Sequence, residues 1–109
     1  MPKRRDSLLR EDMLAAAGKI RSYLAEMDEK QFLQDSKTLD AVVRNLEVIG
    51  EAARMTSPEG RALYPGLPWN QVVGLRHRIV HEYFGIDPAL VWQIASVDVP
   101  DLEKSLADP

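Results

Sequence analysis

The segment from Gly74 to Phe84 holds most of the side chains in this sequence that could carry out chemistry. Its polar members are Arg76, His77, Arg78, His81, Glu82 and Tyr83, and no histidine occurs elsewhere in the chain. Histidine titrates near neutral pH, and the planar guanidinium of arginine suits a phosphate group that gathers charge in a transition state. The segment therefore offers the groups needed for acid–base chemistry on a phosphodiester without a metal.

Two other interpretations fit the same residues. His77 and His81 are four residues apart, a spacing that places two metal ligands on one face of a helix. The zinc-protease pattern, however, needs a glutamate directly after the first histidine, whereas Glu82 follows the second, and no third ligand is evident. In the other interpretation the segment is structural, with Arg76 and Arg78 paired to carboxylates of neighbouring helices and the histidines filling gaps. The residues alone leave these alternatives open.

Apolar residues recur at spacings of three and four over most of the chain, which predicts amphipathic helices. The first expected helix runs from Asp6 to about Met27, and the second from the N-cap Ser36 to Ser57-Pro58. The third runs from Pro68 to Phe84, with Gly85 as C-cap. The fourth runs from the N-cap Asp87 through Val97, on the apolar stripe, and Pro100 kinks or restarts it. A short helical turn is expected at residues 61–64, and no alternating strand pattern is present. The prediction is an all-α protein, an antiparallel bundle of four to five helices.

Composition limits the classes of protein to which the chain can belong. Its 109 residues fit a single domain, residues 1–109. Cysteine is absent, which excludes disulfides, thiolate metal sites and a catalytic thiol, and we expect neither a metal nor a cofactor. The net charge of −3 argues against a broad basic face, so any contact with nucleic acid must be local. The charged first residues and the lack of a long apolar stretch predict a cytoplasmic protein with no membrane contact.

The string Arg76-x4-His81-x-Tyr83 resembles the R-x4-H-x-Y motif of HepT toxins, a branch of the HEPN domain superfamily. Further landmarks follow the family's order over nearly the whole chain. They are Ile49-Gly50-Glu51-Ala52, similar to the IGEA stretch of the second long helix, Pro68-Trp69, similar to the start of the motif helix, and Asp87-Pro88 to Trp92, similar to the start of the last helix. The resemblance implies a helical bundle of HEPN type.

The resemblance also implies a specific biological system. HepT-like proteins are homodimers that cleave RNA without a metal, and their partner is a nucleotidyltransferase antitoxin of the MNT type. The antitoxin transfers AMP to the motif tyrosine, and this AMPylation silences the toxin. By position, the catalytic residues are Arg76 and His81, and the modified residue is Tyr83.

Three further residues are candidates for supporting roles at the catalytic site. Many relatives carry asparagine directly after the motif arginine, where this chain has His77, so His77 is either a bystander or a second titrating group. Arg78 and Glu51 are the other two candidates.

Helix geometry gives a separate reason to expect a homodimer. Residues five apart on a straight helix are rotated by about 140°, so Arg76 and His81 of one chain converge poorly. A two-fold interface, in which each motif helix faces its symmetry mate, brings arginine and histidine of both chains into one cleft.

The leading hypothesis is an endoribonuclease toxin. In it, His81 acts as general base or acid on the ribose 2′-hydroxyl and the leaving oxygen, and Arg76 stabilises the phosphate. The alternative is a non-catalytic HEPN interaction module that binds a nucleotidyltransferase or RNA, and a third possibility is a regulator of the nucleotidyltransferase without cleavage of its own. Tyr83 favours the first, because a modifiable tyrosine beside the motif makes sense only where there is an activity to switch off.

Overall fold

The fold is known from a computed structural model that describes residues 2–81 and 85–107, with side chains for residues 4–80 and 85–107. The helices are α1 Pro2–Leu24, α2 Glu29–Leu33, α3 Ser36–Met55, α4 Pro58–Ala62, α5 Trp69–Val73, α6 Leu75–Ile79, α7 Pro88–Gln93 and α8 Val99–Ala107, with a π-helical segment Ile94–Asp98 between the last two. Two short strands, β1 Val80–His81 and β2 Gly85–Ile86, pair antiparallel. The all-α fold class is confirmed.

Helices α1 and α3 lie antiparallel and form one side of the core. The apolar stripes expected from the sequence are buried, with Ile20 on α1 and Leu46 on α3 both fully inaccessible to solvent. Helix α1 ends at Leu24 rather than Met27, and the additional helix α2 follows. Asp28 starts α2 with a capping box that it forms with Gln31, a sequence signal that the apolar spacing does not reveal.

The predicted start of the second long helix is displaced by one residue. Asp35 caps α3, because its carboxylate accepts hydrogen bonds from the backbone N–H and the hydroxyl of Thr38, and Ser36 is the first helical residue. The helix ends before Ser57, as expected. Ser57 then caps α4, which begins at Pro58, so the short helix lies three residues earlier than predicted.

The ionised carboxylate of Asp6 holds the start of α1 against the turn between α3 and α4. Asp6 accepts hydrogen bonds from the backbone N–H of Ser57, at 3.0 Å, and from its hydroxyl. The bond from the hydroxyl and the bond from the N–H hold the pKa of Asp6 below its usual value. Gly60 leaves room for the carboxylate, since a Cβ there would lie 2.6 Å from Asp6 Oδ2.

The last helical stretch contains a π turn, and the prediction that Val97 lies on the buried apolar stripe is wrong for that reason. Val99 N–H donates to the carbonyl of Ile94, five residues back, which places one extra residue in the turn before Pro100. The buried positions therefore step from Ile94 to Val99, and Val97 is 54% exposed. The α-helical hydrogen-bond pattern resumes at Val99, and Pro100, which has no N–H to donate, occupies the second position of α8. The helix therefore restarts at this proline, as predicted.

The predicted third helix is wrong in its second half. It divides at Gly74 into α5 and α6 and ends at Ile79, after which Val80 and His81 are extended and pair with Ile86 and Gly85. Gly85 has a φ of 73°, a left-handed conformation, but it serves the strand pair and is not a helix C-cap. A two-residue strand is too short for an alternating pattern to show in the sequence.

Helix α8 closes the bundle against α1. The Arg10 guanidinium donates from Nε to the carbonyl of Leu106 at 2.8 Å, and Arg21 pairs with Glu103. None of the helices within the described residues is long and apolar enough to cross a membrane.

Candidate functional site

Arg76 and His77 project from α6 into an open groove between α1 and α3. Both side chains are exposed, and within the described part of the chain no carboxylate forms an ion pair with Arg76. The recess holds about 530 Å³. Its other charged lining residues are Asp12 from α1 and Arg44, Glu47, Glu51 and Arg54 from α3. An exposed guanidinium without a partner can bind an anion from solution.

A glycine brings α3 and α5 close enough to build this groove. A Cβ on Gly50 would lie 3.3 Å from the carbonyl oxygen of Val72 and 3.8 Å from the Cβ of Leu75. Because Leu75 directly precedes Arg76, the close approach at Gly50 fixes how far the arginine stands from the α3 side chains. This gives a structural reason for glycine within the Ile49–Ala52 landmark.

Glu51 is part of the groove, but it is engaged by its neighbour. Arg54 donates to both carboxylate oxygens of Glu51, at 2.5 and 3.1 Å. The hydrogen bond from Arg54 lowers the pKa of Glu51, and the same contact raises the pKa of Arg54. Glu51 therefore stays ionised at neutral pH and acts there as an anion that holds Arg54, not as a proton donor.

The structure separates Arg78 from Arg76. Two residues along a helix are rotated by about 200°, so the two side chains leave α6 on different sides. Arg78 Nη2 lies 3.6 Å from the Asp98 carboxylate and lines a separate recess beside the π segment. Of the three candidates for supporting roles, His77 and Glu51 share the groove with Arg76, and Arg78 does not.

His81 is located by its backbone. It lies in β1, with its Cα opposite that of Gly85, and the N–H of Asp87 donates to the carbonyl of Ile79 at 3.2 Å. Asp87 also caps α7 by accepting from two backbone N–H groups, as predicted. The strand pair and the Asp87 cap therefore fix the position of the His81 backbone. The side chain of His81, and all of Tyr83, lie outside the described residues.

Helix geometry no longer requires a dimer. Arg76 and His81 do not share one straight helix, because α6 ends at Ile79 and His81 belongs to a strand. The angle of about 140° between the two positions therefore does not apply. The expectation of a homodimer then rests on the resemblance and on the chemistry.

Arg44, Arg54 and Asp12 belong to the groove, but the sequence analysis did not single them out. Arg44 and Glu51 are seven residues apart on α3, which is the spacing of one helix face, so a charge plot of α3 would have placed them together. Nothing in the sequence shows that Asp12 of α1 reaches the same groove. Among the side chains that the structure describes, no three histidine, aspartate and glutamate residues are grouped to hold a metal ion.

Comparison with known proteins gives the family. A family model described as "Ribonuclease HepT-like" matches residues 13–108. "Putative RNase MJ1380" of Methanocaldococcus jannaschii is 38% identical over 95 residues, which cover 87% of this chain and 87% of the relative. "Probable ribonuclease HepT" of Thermococcus cleftensis is 36% identical over 93 residues, or 85% of this chain and 84% of the relative. No solved structure matches the chain. The model match spans most of the sequence and includes the whole Arg76–Tyr83 motif, so this chain belongs to the HepT-like ribonucleases of the HEPN superfamily.

Proposed function

We propose that this protein is a metal-independent endoribonuclease toxin that cleaves RNA with Arg76 and His81. The observation that carries the proposal is the placement of Arg76 in a chain of this family. Its guanidinium stands exposed over an open groove, while Arg78, two residues away, faces Asp98. Relatives that are named as an RNase or a ribonuclease support the same activity for this chain.

The proposed chemistry needs two proton transfers and one charge stabiliser. A general base takes the proton of a ribose 2′-hydroxyl, and the 2′-oxygen attacks the adjacent phosphorus. A bond from the 2′-oxygen to phosphorus forms as the bond to the 5′-oxygen breaks, and a general acid protonates that leaving oxygen. Arg76 stabilises the charge on the phosphate oxygens, and His81 serves as base or acid. The second proton-transfer group is His77, which shares the groove with Arg76.

Cleavage of a defined single-stranded RNA tests the proposal. We expect Arg76→Ala and His81→Ala each to lower the cleavage rate by about 100-fold or more, the usual loss when a charge-stabilising or proton-transfer group is removed. Arg78→Ala is the matched control, because it removes an arginine from the same helix outside the groove, and it should stay within about threefold of wild type. Circular dichroism checks the fold of each variant. Full cleavage by a folded His81→Ala protein would remove His81 from the proposed chemistry. Absence of cleavage by the folded wild-type protein would favour a non-catalytic module that binds a nucleotidyltransferase or RNA.

Metal independence is a separate part of the proposal. The acid–base scheme uses only side chains, so cleavage should persist in excess EDTA. Loss of activity in EDTA that zinc or magnesium restores would revive the interpretation of His77 and His81 as metal ligands.

We further propose that a nucleotidyltransferase antitoxin of the MNT type controls the enzyme through Tyr83. In this step the phenol oxygen of Tyr83 attacks the α-phosphorus of ATP, the bond to the β-phosphate breaks, and pyrophosphate leaves. The product carries a negative phosphodiester and an adenosine two residues from His81, where charge and volume oppose an RNA strand.

Mass spectrometry after co-expression with such a nucleotidyltransferase tests this control. We expect the mass of AMP on the peptide that contains Tyr83, and no such adduct in Tyr83→Phe. If Tyr83→Phe is still neutralised and no adduct forms on any peptide, the antitoxin acts by occlusion and control through Tyr83 is wrong.

A further inference from the structure

The groove beside Arg76 does not end at the motif. A second recess, of about 410 Å³, runs between α1 and α3 toward the C-terminal end of α1. Asp12, Arg44 and Val48 line both recesses, so the two adjoin, and we call them together the α1–α3 groove. From Ala41 to Met55 of α3 it is about 20 Å long, at 1.5 Å per helical residue.

The far end of the α1–α3 groove, which we call the distal end, is lined by Lys19, Tyr23, Ala41 and Arg44. Lys19 and Tyr23 are four residues apart on α1 and so lie on the same face of that helix. Tyr23 is 41% exposed, although it is one of the large side chains of the protein. Lys19 and Arg44 are exposed, and no ion pair engages either of them within the described residues.

An exposed aromatic ring that shares a recess with cations can bind single-stranded nucleic acid. The cations pair with the backbone phosphates, and a base stacks on the ring. Such stacking does not depend on the sequence, because every base has a π face. A base inside a duplex is already stacked and cannot reach such a ring, so the arrangement selects single strands.

The groove carries charges of both signs. The carboxylates of Asp12, where the two recesses meet, and of Glu47, beside Arg76, repel phosphates, while Glu51 is held by Arg54. Within the described part of the chain, no ion pair engages Arg76 beside the motif, Lys19 at the distal end or Arg44 where the recesses meet. In a protein of net charge −3, these local cations determine where an RNA strand can lie.

We infer that the distal end of the α1–α3 groove is a second substrate subsite for a single-stranded RNA whose scissile phosphate lies at Arg76. A base of that RNA stacks on Tyr23, and the adjoining phosphate binds Arg44 and Lys19. The inference rests on the proposed ribonuclease function. It assigns to α1 and α3 a role in substrate choice, because only an RNA long enough to span the groove engages both ends.

Binding measurements test the subsite independently of cleavage. The probe is a fluorescent single-stranded RNA with 2′-O-methyl riboses, which lack the attacking hydroxyl, and the readout is anisotropy with the full-length protein. We expect Tyr23→Ala to weaken binding at least about fivefold, the lower limit for one stacked base, and Tyr23→Phe to stay within about twofold because the ring remains. Arg44→Ala should reduce the slope of log affinity against log salt by about 0.7, one phosphate contact on a single strand.

The controls separate the subsite from general charge effects. Lys37→Ala removes an exposed cation of α3 that does not line the groove, and it should leave the affinity unchanged. The penalty of Tyr23→Ala should vanish for an RNA too short to span the groove.

Each contrary result identifies what has failed. Equal losses for Tyr23→Ala and Tyr23→Phe, no loss for either, or no binding of the probe by wild type would overturn the subsite. A change in the oligomer mass of Tyr23→Ala and Arg44→Ala would also overturn it, since the groove would then be a protein interface. If the tyrosine-dependent binding holds but wild type fails to cleave unmodified RNA, the ribonuclease proposal falls and the subsite stands.

Discussion

Glu51 shows how a neighbouring side chain limits the role of a residue. A carboxylate beside a candidate catalytic arginine is an obvious proton carrier, but Arg54 donates to both of its oxygens. Because that contact lowers the pKa of Glu51, the group carries no proton over the range in which histidine titrates. Its part in the site is to orient Arg54 and to balance its charge.

We therefore predict that Glu51→Gln leaves the pH profile of cleavage unchanged. The pKa values that govern kcat/KM belong to other groups, and loss of one negative charge from the groove should raise RNA affinity about twofold. The measurement is kcat/KM from pH 5 to pH 9 for both proteins. Loss of one limb of the profile in Glu51→Gln would make Glu51 a proton-transfer group.

The two arginines of the motif show what residue spacing alone reveals. Their rotation by about 200° on α6 follows from the sequence and the geometry of a helix. The partner of Arg78 does not, because Asp98 lies twenty residues further on in a π turn. The sequence therefore indicated which residues have the chemistry, but not which of them share a groove.

At the scale of elements, the strand pair of β1 and β2 is the feature that most changes the expected site. Gly85 adopts a φ of 73° opposite His81, and no atom of the described residues lies within 4 Å of a Cβ placed there. Substitution at Gly85 consequently costs backbone strain, without a clash against the described residues.

We predict that Gly85→Ala destabilises the protein by about 1 kcal/mol and lowers RNA cleavage, because the strand pair that positions His81 is strained. Gly85→Asn should be milder, since asparagine tolerates the left-handed region. Gly66→Ala is the control, because φ there is not positive and its Cβ would meet only Ser105 Oγ, at 4.0 Å. Thermal unfolding and cleavage are the measurements. Equal behaviour of Gly85→Ala and Gly66→Ala would show that the strand pair does not position the site.

The contact of Asp6 with Ser57, between α1 and the start of α4, predicts how the stability of the protein depends on pH. Asp6 has a pKa lowered by Ser57, so its contribution to stability is complete above the unfolded-state pKa of about 3.9 and is lost as the pH falls through the lower folded-state pKa. We predict that Asp6→Ala lowers the free energy of unfolding by about 1 kcal/mol at pH 7. The difference from wild type should shrink below about pH 4.

Thermal melts between pH 7 and pH 3 measure that difference. Asp40→Ala is the control, an exposed aspartate of α3 that makes no side-chain hydrogen bond within the described residues. A difference between Asp6→Ala and wild type that persists unchanged at pH 3 would contradict the role of the ionised carboxylate.

The sequence predicts the long helices well and the irregular elements poorly, for physical reasons. The spacing of apolar residues reveals a buried face only when the helix runs for several turns, as α1 and α3 do. It cannot report a single extra residue in a turn, which moved the buried position from Val97 to Val99, nor a strand of two residues at Val80. The strand pair carries the backbone of His81, and the π segment carries Asp98, the partner of Arg78.

At the scale of the whole molecule, the number of chains in a working site decides how cleavage is carried out. We predict a homodimer in which Arg76 of one chain acts with His81 of the other. Purified heterodimers of Arg76→Ala and His81→Ala chains should then have one intact site of two, and roughly half of the wild-type activity per dimer should return although each parent is inactive. Light scattering gives the mass. No recovery in a verified heterodimer would place arginine and histidine of one site on the same chain.

The closure of the bundle by α8 has a consequence for synthesis. Helix α1 leaves the ribosome well before its partners in α8, the carbonyl of Leu106 and the carboxylate of Glu103. A nascent chain that has already delivered Arg76 and His81 still lacks the helix against which α1 packs. We therefore expect the activity that we propose to appear only after α8 has been synthesised, and chains that terminate before α8 to lack it.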